Sequence, residues 1–436
     1  MSFENVDLFP FGTEVNKLGN LSVGGNDITS LASQYGTPLY VYDEPTIRTM
    51  ARQFVSEFTS RYPNTKVAYA SKAFLNISME KIAEEENLEL DVVSGGEIAV
   101  AAAAGFPTAK MHFHGNNKTP SELSESVNSG VETIVVDGFQ ELDLLNEIAR
   151  HQNVVQGIML RLSPSIDAHT HGHTTTGILD VKFGFSIETG ESTVAIRQAL
   201  QSSNLDLKGI HFHLGSPIFE LEPYSTAIDT VFDYLAQFVP EGLNLREFSP
   251  GGGFAIGYTR ESPPPPVSAY AEVITSMLKN KCSDLNIEPP VLIIEPGRSI
   301  VGRAGVAVYT VGVIKEIPTV RTYVSLDGGM GDNIRPALYG SEYEAVIANK
   351  IIAEDEKIVT LAGKYCESGD LLVKDVLLPR IETGDIVAIP SSGAYCLAMS
   401  SNYNMNPRPA VVMVGNGQSR LVRKRETYKD LMALDL

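Results

Sequence analysis

The sequence predicts an α/β fold, a (β/α)8 TIM barrel, joined to a second domain that is all β, and three features carry that expectation. Eight short apolar runs alternate with helical segments between about residues 65 and 300, the pattern of parallel strands joined by crossover helices. Eight such units in about 235 residues match the usual size of a closed barrel better than an open doubly wound sheet. From about residue 304 the long helical segments stop, and strands punctuated by Gly, Asp and Pro replace them.

Residues 1–43 contain LSVGG and PLYVYD, read as strands that precede the barrel and join the β domain. The barrel strands then follow as VAYAS at 67–71, LELDVV at 88–93, MHFHG at 111–115, ETIVVD at 132–137, QGIMLRLS at 156–163, KGIHFHLG at 208–215, LREFSP at 245–250 and VLIIEP at 291–296. Between them, Thr119-Pro120-Ser121-Glu122 reads as an N-cap, a proline at the first helical position and a capping box. Leu142, Leu145, Ile148 and Ala149 give the next helix one apolar stripe. The PPPP run at 263–266 is a stiff, extended loop. VAVYTVGVIKE, RTYVSLD, IVTLAGKYC, DLLVKDVLLP, DIVAIP and PAVVMVG supply the later strands. The expected division is a barrel over 44–303 and a β domain made of 1–43 plus 304–436.

Composition narrows the function. A net charge of −19 repels phosphate backbones and anionic lipid, so nucleic acid is not an expected partner. No apolar run approaches the roughly 18 to 20 residues that cross a bilayer, so no membrane span is expected. Cys282, Cys366 and Cys396 are too few for a disulfide framework, and MSFENVDLFPFG has neither a basic nor an apolar leader region, so a cytoplasmic location is expected.

In a barrel, the residues at the C-terminal ends of the strands face the active site. Here those positions hold Lys72, Ser94, His114, Asp137, Arg161, His213, Gly251-Gly252-Gly253 and Glu295. A lysine at the end of an apolar strand is partly desolvated, which lowers its pKa toward the free amine that a Schiff base needs; the plain alternative is a surface lysine. Three consecutive glycines after the seventh strand let backbone N–H groups approach a phosphate; taken singly they are a flexible turn. A carboxylate such as Glu295 favours the protonated form of a pyridine ring. Together the three describe a pyridoxal 5′-phosphate site. The pairs His112/His114 and His211/His213, with His169, His171 and His173, raise a metal-dependent barrel hydrolase as the alternative. That reading leaves Lys72 and the glycine run without a role, and no metal is expected.

The strings YASKAF, DVVSGGEI, HFHGNNKT, HFHLGS, SPGGGF, EPGRSIVG, DGGMGDNIRPALYG, CESGD and GAYCLAMSSNYN, in this order and spacing, resemble the fold type III pyridoxal phosphate decarboxylases, and among them the diaminopimelate decarboxylase family. The resemblance covers nearly the whole chain. It implies an alanine racemase-like barrel, a β domain of sandwich or Greek-key type, and decarboxylation of meso-2,6-diaminopimelate to L-lysine and CO2. It implies a Schiff base on Lys72, with His213 against the cofactor ring and Glu295 at the pyridine nitrogen. Ser216, Gly251, Gly252, Gly253 and Tyr395 would hold the phosphate. Arg298, Arg335 and Tyr339 would grip the substrate's carboxylates, which suits the planar guanidinium. A homodimer with shared active sites is also implied, in which Cys366 and Glu367 serve the neighbouring subunit. Cys366 is then the expected proton donor, with Lys72 as the alternative, and Glu367 meets the distal amino group. Cys282 and Cys396 are read as buried hydrophobes, and His114 as a support behind the cofactor.

Two features depart from the family's usual form. Gly328, Gly331 and Asn333 make DGGMGDNIRP richer in glycine, which predicts a looser turn and puts substrate fit in question; Lys364 stands where proline is common. Rivals on the same scaffold are decarboxylation of ornithine, arginine or carboxynorspermidine, a racemase, or a non-catalytic cofactor-binding protein. The arginines of EPGR and IRP favour a dicarboxylic substrate, and the presence of both Lys72 and Cys366 argues against a non-catalytic protein.

Overall fold

The computed structural model describes residues 5–166, 181–354 and 356–436. They form two compact units, one of Ala51–Ala255 with Pro265–Gly297, the other of Met1–Met50 with Ile256–Pro264 and Arg298–Leu436. His169, His171 and His173 lie outside the described residues.

The first unit is a closed parallel barrel. Its strands are β1 (Thr65–Ala70), β2 (Glu89–Val92), β3 (Met111–Phe113), β4 (Thr133–Val136), β5 (Gln156–Ser163), β6 (Leu205–His211), β7 (Glu247–Ser249) and β8 (Val291–Ile294). Each pairs in parallel with the next, and β8 returns to β1 through Leu292 opposite Thr65, which closes the ring. The strands are buried along nearly their whole length because helices cover the outside and side chains fill the inside. Local sequence ends these helices where expected. Thr119 and Glu122 form the capping box with Pro120 in the first turn, and Leu142, Leu145 and Ala149 are the buried stripe of helix Phe139–Gln152.

Near the N-terminal ends of the strands the barrel encloses charge as well as apolar groups. Lys66 Nζ lies 2.9 Å from Glu89, Glu89 lies 2.6 Å from His112 Nε2, and Lys208 lies 3.1 Å from Glu132. Such pairing offsets the desolvation of charges that the barrel wall removes from water. His112 therefore belongs to this layer, while His114, two residues on, faces the opposite mouth.

The second unit is built on the 13-residue strand Gly305–Ile317. Its first half pairs with Leu39–Asp43 and Ile386–Ile389, its second half with Arg321–Leu326. Lys357–Ala362 and Leu371–Leu378 extend the sheet on one side, Ala410–Gly415 and Gln418–Arg423 on the other. PLYVYD thus lies within this sheet, its inward Val41 packed with Val306, Val308 and Val412. No helix among the described residues is long and apolar enough to cross a membrane.

Candidate active site

The C-terminal mouth of the barrel gathers the titratable groups of β1, β2, β3, β6 and β8. Strand β1 runs into a single 3-10 turn, Ser71–Ala73, which carries Lys72. The Lys72 ammonium forms a short ion pair with Asp91, a fully buried carboxylate on β2. Burial pushes the Asp91 carboxyl up, but the neighbouring His114 ring and the Lys72 ammonium outweigh it and hold the group below its usual value. The other Asp91 oxygen, Oδ1, is buried without a hydrogen-bond partner.

Glu295 ends β8 at the centre of this cluster. Its carboxylate accepts the Ser249 hydroxyl at 2.6 Å and lies 3.3 Å from His211 Nε2 and 3.8 Å from His114 Nε2. Burial alone would raise this carboxyl; the His211 and His114 rings and the Ser249 bond override it and keep the group well below the usual carboxylate range. His114 and His211 meet edge to face, with ring centroids 4.9 Å apart. Burial lowers the pKa of His114 to about 3. His213, partly buried and desolvated beside the cations Arg161 and Lys72, is also lowered to about 3. Both rings are therefore neutral across the physiological range.

The glycine run after β7 lines the same mouth. Gly251 and Gly253 have φ values of +75° and +103°, a region in which a side chain is strained. A Cβ at Gly252 would sit 2.1 Å from the Glu295 carbonyl oxygen, and one at Gly253 2.5 Å from that of Gly215. No residue with a side chain fits, so the backbone itself forms this wall. Ser216 follows on the loop after β6, which is zipped to the glycine run by the Ile218 N–H donating to Gly253 at 2.8 Å.

The second unit holds its own polar cluster. Arg298 and Arg335 are both buried and both lie against Tyr258, with guanidinium carbons 5.7 and 4.8 Å from its ring centroid. Arg298 also covers the Tyr395 ring at 4.8 Å. Arg335 Nε donates to Tyr343 at 2.8 Å and a terminal nitrogen donates to Ser341 at 3.1 Å. Among the described residues no carboxylate pairs with Arg335. Tyr339, one helical turn further on, is exposed. Cys366 and Glu367 sit on an exposed loop of the same unit, whereas Cys282 and Cys396 are buried and burial pushes the Cys396 thiol up to about 11.

Residues 47–302 match the family model described as the pyridoxal binding domain of pyridoxal-dependent decarboxylases. The diaminopimelate decarboxylase of Bacillus subtilis (strain 168) is 47% identical over 436 residues, 98% of each chain, and that of Bacillus methanolicus is 47% identical over 428 residues, 97% of this chain and 98% of its own. The chain belongs to the diaminopimelate decarboxylase family. The crystal structure of the M. jannaschii diaminopimelate decarboxylase superposes with a TM-score of 0.92 at 33% identity, covering 97% of both chains, and that protein has also been solved in complex with L-lysine.

The barrel mouth fits the cofactor of this family. It offers a lysine amine, a neutral imidazole, an ionised buried carboxylate and a backbone wall that only glycine can form. His114, His211 and Glu295 also bring three ligand atoms within 4.8 Å of one another, the geometry on which a metal-hydrolase reading would rest; the family match assigns the barrel to pyridoxal chemistry instead. Of the strand-end residues, Ser94 caps the helix Gly95–Ala104 by accepting the Glu97 N–H. Asp137 accepts the Gly184 N–H at 2.9 Å and faces Arg161 at 3.7 Å. Asp91, His211 and Ser249 are the members that the strand-end rule misses. The signal was a lone Asp in the apolar run LELDVV.

The neutral state of His213 is testable. Its folded pKa lies below the ordinary 6.5, so protonation favours the unfolded chain. Its contribution to stability is complete above about pH 6.5 and is lost as pH falls toward about 3. In urea unfolding of the cofactor-free protein, His213→Gln is expected to remove up to about 1.4 kcal/mol per pH unit from the slope of stability against pH between about pH 4 and pH 6. An unchanged slope would contradict a desolvated, neutral His213.

Proposed function

We propose that this chain catalyses the pyridoxal phosphate-dependent decarboxylation of meso-diaminopimelate to L-lysine and CO2, the last step of lysine biosynthesis through diaminopimelate. The observation that carries the reading is the Lys72–Asp91 pair set beside the ionised Glu295 and the glycine wall at the mouth of a closed barrel.

When bound, pyridoxal phosphate supplies a protonated, electron-accepting ring that takes up the electron pair left as CO2 departs. Lys72 would supply the amine that holds the cofactor, and in the free chain Asp91 orients its ammonium at the barrel mouth. Glu295, kept ionised by its His211 and Ser249 neighbours, would favour the protonated pyridine nitrogen. His213, uncharged, would add no charge to compete with that proton. Gly251, Gly252 and Gly253, with Ser216 and Tyr395, would hold the phosphate.

In the second unit, Arg335 is a buried cation that no carboxylate among the described residues pairs, an arrangement that is costly unless a ligand carboxylate completes it. Arg298 and Arg335 are accordingly the carboxylate grips, with Tyr339, and Glu367 receives the distal ammonium. Cys366 would deliver a proton to the carbon that has lost CO2, forming its new C–H bond, and Lys72 is the alternative donor. The exposure of Cys366 and Glu367 in the single chain suits a homodimer in which these two residues serve the partner's site.

The direct assay is chiral amino-acid analysis after incubation of the cofactor-loaded protein with meso-diaminopimelate, with ornithine and arginine in parallel. L-lysine from diaminopimelate alone is expected. Another amine in its place would refute the substrate assignment while leaving the chemistry; no turnover with bound cofactor would favour a non-catalytic protein.

Sharing of the site is tested by mixing two inactive subunits. Lys72→Ala abolishes the cofactor's bound chromophore, and Cys366→Ala keeps it but slows turnover. A heterodimer of the two contains one intact site if residues are shared, and it is expected to recover part of the parent activity. No recovery in verified heterodimers would exclude sharing.

A further inference from the structure

Three separated segments of the second unit are knitted around Cys366. The Cys366 N–H donates to Asn404 Oδ1 at 2.9 Å. The preceding Tyr365 N–H donates to Asp370 at 2.9 Å, and the other oxygen of the same buried carboxylate accepts the Met330 N–H at 2.6 Å. The Ser401 N–H closes the ring onto the Gly331 carbonyl at 2.8 Å, and the rings of Tyr365 and Tyr403 stack with centroids 6.0 Å apart. The glycines of the 328–331 turn are what let the segments approach. A Cβ at Gly331 would lie 2.1 Å from the Tyr365 hydroxyl, and one at Gly329 2.5 Å from the Asp370 carboxylate. The turn is therefore tight where its composition predicts looseness.

Asn404 is the one contact in this knot that reaches Cys366 itself. It does so from a left-handed backbone, φ +50°, a conformation that asparagine tolerates better than most residues. An amide bond at the Cys366 nitrogen fixes the plane from which its Cα–Cβ bond, and hence the thiol, projects. We infer that Asn404 is a positioning residue for the proton-donating Cys366, with Asp370 as the second anchor of the loop. The inference rests on the reading of Cys366 as the proton donor.

The test uses the cofactor-loaded enzyme. Asn404→Gly keeps the left-handed backbone without strain and removes only the acceptor. It is expected to lower kcat about tenfold with KM within about threefold, the scale of one lost hydrogen bond, and to leave the cofactor's absorption unchanged. The rate of Cys366 alkylation by iodoacetamide should change several-fold, Cys282 and Cys396 being buried. Asn404→Asp, which keeps an acceptor in place, should restore both kcat and alkylation. In a Cys366→Ala background, Asn404→Gly should cost nothing further, because it acts through the absent thiol. Parent-like kcat and alkylation in Asn404→Gly, failure of Asn404→Asp to rescue, or a full multiplicative loss on top of Cys366→Ala would each overturn the assignment. If Cys366→Ala itself turns over at the parent rate, the donor reading falls, and the alkylation rate of Asn404→Gly still decides whether Asn404 positions the loop.

Discussion

A buried negative centre at the mouth of the barrel is the constraint on which the chemistry depends. Asp91 and Glu295 are both removed from water, and burial alone would raise both carboxyls. They are held ionised by the Lys72 ammonium on Asp91 and by the close contacts of His211 and the Ser249 hydroxyl with Glu295, groups on or just beyond strands β1, β6 and β7. A closed barrel is suited to this. Adjacent parallel strands deliver their ends to one ring, so groups far apart in sequence meet within hydrogen-bond distance. The same closure fixes the glycine wall, since Gly252 approaches the Glu295 backbone too closely for any side chain.

The second unit buries cations as well as carboxylates. Beside buried acids such as Asp332 and Asp370 it holds Arg298 and Arg335, accommodated by tyrosine rings and hydroxyls. A guanidinium stacked on an aromatic face loses less on desolvation than an ammonium would, and it keeps its planar donors directed at a ligand. In the proposed reaction the arginine pair would take carboxylates, which favours a dicarboxylic substrate over a diamine precursor such as ornithine.

Much of this was legible in the sequence. Alternating strand and helix signals located all eight barrel strands, and the strand-end rule found Lys72, His213, Glu295 and the glycines because those residues interrupt apolar runs at their last position. Asp91, His211 and Ser249 were harder to read because they sit inside or at the very edge of strands, where alternation is read as packing. Ser94 and Asp137 occupy strand ends yet serve a helix cap and a loop, which position alone cannot distinguish from catalysis. The turn at 328–331 failed for a different reason. Glycine content reports freedom of the chain in isolation, whereas here it reports the closeness of Tyr365, Tyr309 and Asp370, neighbours supplied by tertiary structure. Asn404 carried no signal, since its role depends on a backbone N–H nearly forty residues away.

The central claim is that Lys72 is the residue that carries the cofactor. Borohydride reduction of the loaded protein makes that linkage permanent, and peptide mass mapping then locates it. The account predicts a single pyridoxyl group per chain, on the peptide containing Lys72. Its appearance on Lys66, Lys118 or Lys208, the other lysines of the barrel strands and their ends, would contradict the account at its root.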